Sequence, residues 1–179
     1  MTTWIYLPVP TQEMRDFASG LQLGGQFTLS NHFVSGKGKA ISRFFGGCLD
    51  GVSPWDTLLL ICHGATGGSR FTGAQRADGL KKYSPEELAA VIRKEGLTKS
   101  FIDLKLLVCG GGLRTAKGDD PFAQRTCEAL KGDGYSQIRV TGYLGDVSTS
   151  GGKIKVLRNG EQGGKYYDGN VPGSYKVYK

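Results

Sequence analysis

Two short apolar runs constrain this chain more than any other feature. Thr57-Leu58-Leu59-Leu60-Ile61-Cys62 and Leu104-Lys105-Leu106-Leu107-Val108-Cys109 each have the length of a strand buried on both faces, and each reaches glycine within two residues. Strands that read as near-continuous hydrophobic runs belong to parallel sheets covered on both sides. The segment between them has the form of a crossover helix. Ser84-Pro85-Glu86-Glu87 combines a capping-box serine, a proline at the first helical position and a glutamate at the third, Leu88, Val91 and Ile92 supply an apolar stripe, and Gly96 ends it.

The pattern then repeats. Asp120-Pro121 opens a second helix with Ala123, Cys127 and Leu130 on one face and Gly132 or Gly134 as its stop, and a third strand runs from Gln137 to Tyr143. Alternating strands and helices specify right-handed crossovers in a parallel sheet, so the expected class is α/β with three layers. An early strand over Trp4 to Val9 joins the sheet, and Gln26–Val34 and Ile41–Phe45 are further candidates around Ser35-Gly36-Lys37-Gly38-Lys39. The tail changes character: Lys153 to Arg158 alternates, Asn159-Gly160 signals a hairpin, and Tyr175 to Tyr178 forms a last strand. Residues 151–179 therefore read as an antiparallel β-hairpin flap on a single domain spanning 1–179.

Composition narrows the classes. Of 179 residues 39% are hydrophobic and 22% charged, ordinary globular usage that excludes a disordered chain, and no run approaches the length of a membrane span. The first residues lack a basic n-region and a long apolar stretch, so the expectation is a cytoplasmic protein, or one secreted without a cleavable signal peptide into a host cytosol. Cys48, Cys62, Cys109 and Cys127 are widely spaced with no Cys-x-x-Cys, which argues for reduced thiols and against a metal site. The net charge is +7, and the tail carries Lys153, Lys155, Arg158, Lys165, Lys176 and Lys179 against Glu161 and Asp168. Such an excess attracts polyanions.

Reactive groups in an open parallel sheet gather beyond the carboxyl ends of its strands. Here those ends carry His63-Gly64 and Cys109-Gly110. An imidazole beside a thiol is what a cysteine nucleophile needs, because the imidazole takes the thiol proton and returns it to the leaving amine. The N–H groups of Gly64 and Cys109 are candidate oxyanion donors. Two other readings stay open. Gly110-Gly111-Gly112 could cradle a phosphate in a nucleotide-binding protein, though neither Gly-x-Gly-x-x-Gly nor a Walker lysine accompanies it. The same fold could also serve as a catalytically inactive interaction domain. Cys48, Cys62 and Cys127 read as small buried hydrophobes, and His32 as a surface residue.

These residues resemble clan CD cysteine peptidases, which include caspases, legumains, gingipains and the self-cleaving protease domain of large bacterial RTX toxins. The resemblance lies in an apolar strand followed by His63-Gly64, then an apolar strand followed by Cys109-Gly110-Gly111, in that order and 46 positions from 63 to 109. Leu107-Val108 stand where the caspase motif has Gln-Ala. What it implies is a caspase-like sandwich and a cysteine endopeptidase acting on protein substrates or on itself, in the manner of a bacterial toxin or effector. By size and tail charge it is similar to the toxin domains, which implies a basic flap that binds inositol hexakisphosphate. Lys153, Lys155 and Lys165 are the candidate polyanion ligands. Asp146, just past the third strand, and Gly110 are candidate substrate contacts, the carboxylate favouring arginine or lysine before the cut. No metal, membrane or nucleic-acid partner is expected, since basic and aromatic residues do not interleave as stacking platforms do.

Overall fold

The computed structural model of the chain describes residues 2–9, 11–21, 28–29, 33–35, 47–65, 68, 70–72, 82–158 and 165–179. His32, the strand expected at Ile41–Phe45, the turn at Asn159-Gly160 and much of the loop 65–79 lie outside the described residues. In chain order the elements are β1 (Thr3–Tyr6), α1 (Gln12–Ser19), β2 (Thr28–Leu29), β3 (Phe33–Ser35), β4 (Thr57–Ile61), β5 (His63–Gly64) and β6 (Phe71–Thr72). There follow α2 (Pro85–Lys94), β7 (Asp103–Leu107), α3 (Phe122–Gly132), β8 (Arg139–Tyr143), β9 (Gly145–Ser150), β10 (Lys153–Arg158), β11 (Tyr166–Asp168) and β12 (Tyr175–Tyr178).

The fold is α/β around a mixed seven-stranded sheet in the order β12-β8-β7-β4-β1-β3-β2. Its middle four strands, β8, β7, β4 and β1, are parallel, while β12 and the β3–β2 pair close the two sides antiparallel. Alternation along the central strands splits the apolar side chains between two cores. Leu58, Leu60, Leu104, Leu106 and Val140 pack under α2 and α3 with Leu88, Ile92, Ala123, Cys127 and Leu130. Leu59, Ile61, Leu107 and Tyr143 face the other way, against Met14 and Ala18 of α1 and against Val147, Ile154 and Val156. One outer layer is thus two helices, and the other is a helix beside an antiparallel ribbon.

Helix α2 follows from its sequence: Ser84 Oγ accepts from the Glu87 N–H at 3.2 Å and Glu87 Oε2 accepts from the Ser84 N–H at 2.8 Å. Gly96 takes φ +86° just past it, a conformation that favours glycine. Helix α3 has no side-chain cap, and the Ala123 N–H instead donates to Gly111 O at 2.9 Å, tying its first turn to the loop after β7. Helix α1 was not among the expected elements. Thr11 caps it by accepting from the Met14 N–H, and the apolar pair Met14 and Ala18 buries one face. Eight residues carry too short a period to stand out in sequence.

The tail differs from the expected flap at both ends. The antiparallel ribbon β9-β10-β11 starts at Gly145, while Tyr175–Tyr178 leaves the flap and pairs with β8 at the margin of the main sheet. Gly145 permits the first change, since a Cβ there would lie 2.0 Å from Leu157 O. Tyr178 drives the second: its ring is buried and its hydroxyl donates to Gly112 O at 3.0 Å. Gly142 leaves room for α3 to pack close on the sheet, because a Cβ there would meet Ala123 Cβ at 2.6 Å and Gly111 O at 2.9 Å. Gly142→Ala should therefore lift α3 and cost about 1–3 kcal/mol, as overpacking does. The loss is read as a lower urea midpoint, and an unchanged midpoint would contradict this packing.

Candidate functional site

The site is built by the register of two strands. β4 and β7 pair in parallel with Thr57 opposite Asp103 and Ile61 opposite Leu107, and the Cys62 N–H donates to Leu107 O at 3.3 Å just past the paired ends. That offset is 46 residues, which is also the step from 63 to 109. Cys62 and Val108 turn into the core under α2 and α3, whereas Cys109 packs against the core on the α1 side. His63 alternates with Cys62 and meets α1: its Nε2 lies 2.6 Å from Glu13 Oε1. Both candidate side chains therefore belong to the same face at the carboxyl edge of the sheet.

Gly64 locks the two segments together. A Cβ there would come within 2.4 Å of Val108 Cγ1, 3.0 Å of Cys109 O and 3.5 Å of Cys109 N, so only glycine lets the main chain after His63 lie against that of Cys109. The antiparallel pairing of His63 with Thr72 and Gly64 with Phe71 continues this edge into a small hairpin. Phe71 stacks on Tyr83 and meets Phe122 edge-on, which anchors the hairpin to the helical layer.

The sulfur of Cys109 is held by the flap. The Val147 N–H donates to Sγ at 3.3 Å, and the thiol in turn faces Val147 O at 3.9 Å. Burial pushes the thiol pKa up, and the Asp146 carboxylate adds to that, while the Val147 amide pulls it down. Burial dominates, so the group rests as a thiol. Among the described residues no hydrogen bond joins the His63 ring to this sulfur; their recorded partners are Glu13 and Val147.

The glycines after Cys109 serve the turn. The N–H groups of Gly110, Gly111 and Gly112 donate to Gly145 O, Val108 O and Tyr143 O at 2.9, 3.0 and 2.9 Å. All three amides point inward, which removes the donors a phosphate cradle would need and commits Gly110 to the start of β9. The loop from Leu113 to Asp120 is knit as well, with Arg114 donating to Gly118 O and Thr115 bonded three times to Asp119.

Asp146 is exposed on β9, opposite Leu157 and adjacent to the residue that holds the sulfur. The three candidate lysines do not converge. Lys153 and Lys155 share the outer face of β10, with Ser148 and Asp168 on either side of Lys155, whereas the Lys165 ammonium lies over the Tyr167 ring. Tyr167 pairs with Val156, which belongs to the inner face. A different basic feature was not foreseen. Lys105 of β7 and Arg139 of β8 line a cavity of about 290 Å³ on the α1 side of the sheet, together with Asp103, Thr141, Tyr143 and Asn170 of the flap. Their alternation on adjacent strands, Lys105 opposite Thr141 and Asp103 opposite Arg139, is a signal that sequence carries only once the register is known. Glu13 and Val147 were missed for the same reason.

Among the described residues no group of His, Cys, Asp and Glu side chains is arranged to hold a metal ion. No helix in the described residues is long and apolar enough to cross a membrane. No family model matches the chain, and a search of curated proteins finds no match either.

The thiol's environment sets its reactivity with pH. Alkylation of Cys109 in the folded protein should be slower at neutral pH than in the denatured chain. Its rate should climb with a midpoint above the usual thiol value of 9.0, because burial holds the proton on. A pH–rate profile with its midpoint near neutrality would show instead that the resting sulfur is already a thiolate.

Proposed function

We propose that the chain is a cysteine endopeptidase of caspase-like architecture, with Cys109 as nucleophile and His63 as general acid and base. The observation that supports it is the common register that places His63 and Cys109 on one face at the carboxyl edge of adjacent parallel strands, with Gly64 against the Cys109 main chain. Glu13 engages Nε2 of the imidazole, so proton exchange with the thiol runs through Nδ1. In the reaction the Sγ–H proton passes to Nδ1 and the thiolate adds to a peptide carbonyl. The oxyanion takes the N–H groups of Gly64 and Cys109, the imidazolium protonates the departing amine, and water drawn by the same imidazole hydrolyses the thioester. Substrates are proteins or the enzyme's own chain, and the setting is reducing, in the manner of a toxin or effector acting in a host cytosol. Asp146, next to the sulfur-holding Val147, draws arginine or lysine into the position before the cut.

The resting arrangement describes a latent enzyme. Val147 occupies the sulfur, so catalysis requires β9 to give up that contact. The activator in this reading is a multiply phosphorylated small molecule such as inositol hexakisphosphate, and the cavity between the sheet and the flap suits it better than the outer lysines. Lys105 and Arg139 both line it beside Asp103, whereas the outer lysines are divided, Lys153 and Lys155 on one face and Lys165 over the Tyr167 ring. Binding that differs between flap positions shifts the population toward the one that frees the thiol.

A peptidyl electrophile tests the chemistry. Wild type should be labelled, Cys109→Ala not at all, and His63→Ala about 10²–10⁴-fold more slowly, the usual worth of a general base. Labelling that persists in Cys109→Ala overturns the assignment, and an unlabelled wild type, with or without polyanion, favours the inactive interaction domain. The activator site is tested apart from this: inositol hexakisphosphate should raise the melting temperature and labelling rate of wild type and of Lys153→Ala/Lys155→Ala/Lys165→Ala, but not of Lys105→Ala/Arg139→Ala. The opposite ranking would return the site to the outer flap.

A further inference from the structure

The main sheet ends on a strand with one open side. β12 pairs with β8, and among the described residues no strand lies along its other edge. The ladder decides which main-chain groups are left over. The Leu144 N–H donates to Ser174 O at 2.9 Å, and in an antiparallel pair the bonded positions recur at every second residue, so Lys176 and Tyr178 direct their main-chain groups to β8. Val177, between them, turns its N–H and C=O outward.

A groove flanks this edge. Gln124, Cys127 and Glu128 of α3 and Lys176, Tyr178 and Lys179 line a cavity of about 290 Å³ beside the strand. Its floor is apolar, since Cys127 is buried and Tyr178 belongs to the helical core, while its strand-side rim is cationic. Lys176 and Lys179 are exposed, and Lys176 Nζ stands 5.3 Å from the centroid of the Tyr178 ring. Among the described residues neither lysine enters an ion pair, and Glu128 Oε1 instead accepts from Gln124 Nε2 within its own helix. The Val177 side chain, on the other face of the strand, is 39% exposed.

An open main-chain edge beside an apolar groove is what strand addition uses: ladder bonds supply affinity, and the groove reads side chains. We propose that the β12 edge and the α3 groove dock an extended acidic segment of a partner protein, which lengthens the sheet by one strand. The main chain of that segment bonds the N–H and C=O of Val177, its small apolar side chains enter the groove over Cys127, and its carboxylates meet the ammonium groups of Lys176 and Lys179. Charge decides between this occupant and a second copy of the chain. Lysines on an edge strand oppose pairing with a like edge and attract only a strand of opposite sign. The surface uses neither Cys109 nor His63, so it stands whether or not the chain is a peptidase.

The probe is a fluorescein-labelled peptide that alternates valine and glutamate over about six residues, an ordinary strand length, added to the full chain. Binding should raise its anisotropy, slow hydrogen exchange at the Val177 amide and weaken as salt rises. Lys176→Glu/Lys179→Glu should bind it about tenfold more weakly, since two attractions at the rim become repulsions. Val177→Pro deletes a donor that β8 does not use, and proline is tolerated on a free strand edge, so this variant should melt as wild type does and fail to bind. N-methylation of the peptide, at its valines or at its glutamates, should abolish binding in one of the two series, and this decides the matter should the proline variant not fold. Undiminished binding by folded Val177→Pro, by both N-methylated peptides, or of a valine–lysine peptide overturns strand addition and leaves a charged patch. An acidic peptide that does not bind at low salt overturns the proposal outright. So does a concentration-dependent dimer that Val177→Pro abolishes, which gives the edge to a second copy.

Discussion

Everything at the candidate site depends on how β4 lies against β7. The side-chain period of a strand is two, so a slip of one residue would carry every Leu of β7 to the opposite layer and move Cys109 from the α1 side to the helical side. Burial on both faces prevents this. Leu104 and Leu106 fill the core under α2 and α3 while Leu107 fills the core under α1 and the flap, and exchanging them would set Lys105, which lines a cavity, into the helical core. Burying an unpaired ammonium is far costlier than burying a leucine is favourable. The register is therefore fixed by Lys105 as much as by the leucines, and with it the placement of Cys109 beside His63.

The second consequence concerns the flap. Because Gly145 lets the chain pass from β8 straight into β9, the ribbon grows out of the strand next to β7 and reaches back over its end. The Gly110 N–H donates to Gly145 O and Cys109 meets Val147, so the ribbon and the cysteine loop are bonded over consecutive residues. A displacement of β9 acts on the sulfur directly, with no chain of intervening side chains. Helix α1, bonded to the same ribbon through Phe17 and Gly20, extends that connection to the histidine side.

What sequence made legible was what local chemistry dictates. The capping box at Ser84, the glycine stop at Gly96 and the two doubly buried runs announced α2, β4 and β7 without tertiary information, and the paired ends of those runs brought His63 and Cys109 into view. Elements that exist through long-range contacts were not legible. β9 begins with Gly145-Asp146 and continues through Ser and Thr, a composition that reads as loop; it is a strand because Val147 buries and β10 pairs along its whole length. Helix α1 is too short for its period to show. Spacing along a strand gives the face of Lys153 and Lys155 but not the path of the chain to Lys165, so in sequence the tail's lysines read as one cluster.

The sulfur itself carries the conflict on which the site turns. Packing Cys109 against the apolar core on the α1 side favours the protonated thiol, since a thiolate would lose hydration there. The proposed chemistry needs the opposite. The Val147 amide is the larger of the two backbone contacts that stabilise charge on the sulfur, the other being the N–H of Cys109 itself, and together they do not outweigh burial. Places where a local rule is broken without gain in stability are where function is expected. Cys48, Cys62 and Cys127 meet no such contradiction, since each is buried, whereas Cys109 is only partly so. The distinction among four cysteines therefore rests on position in the sheet, and position in the sheet rests on the pairing of β4 with β7.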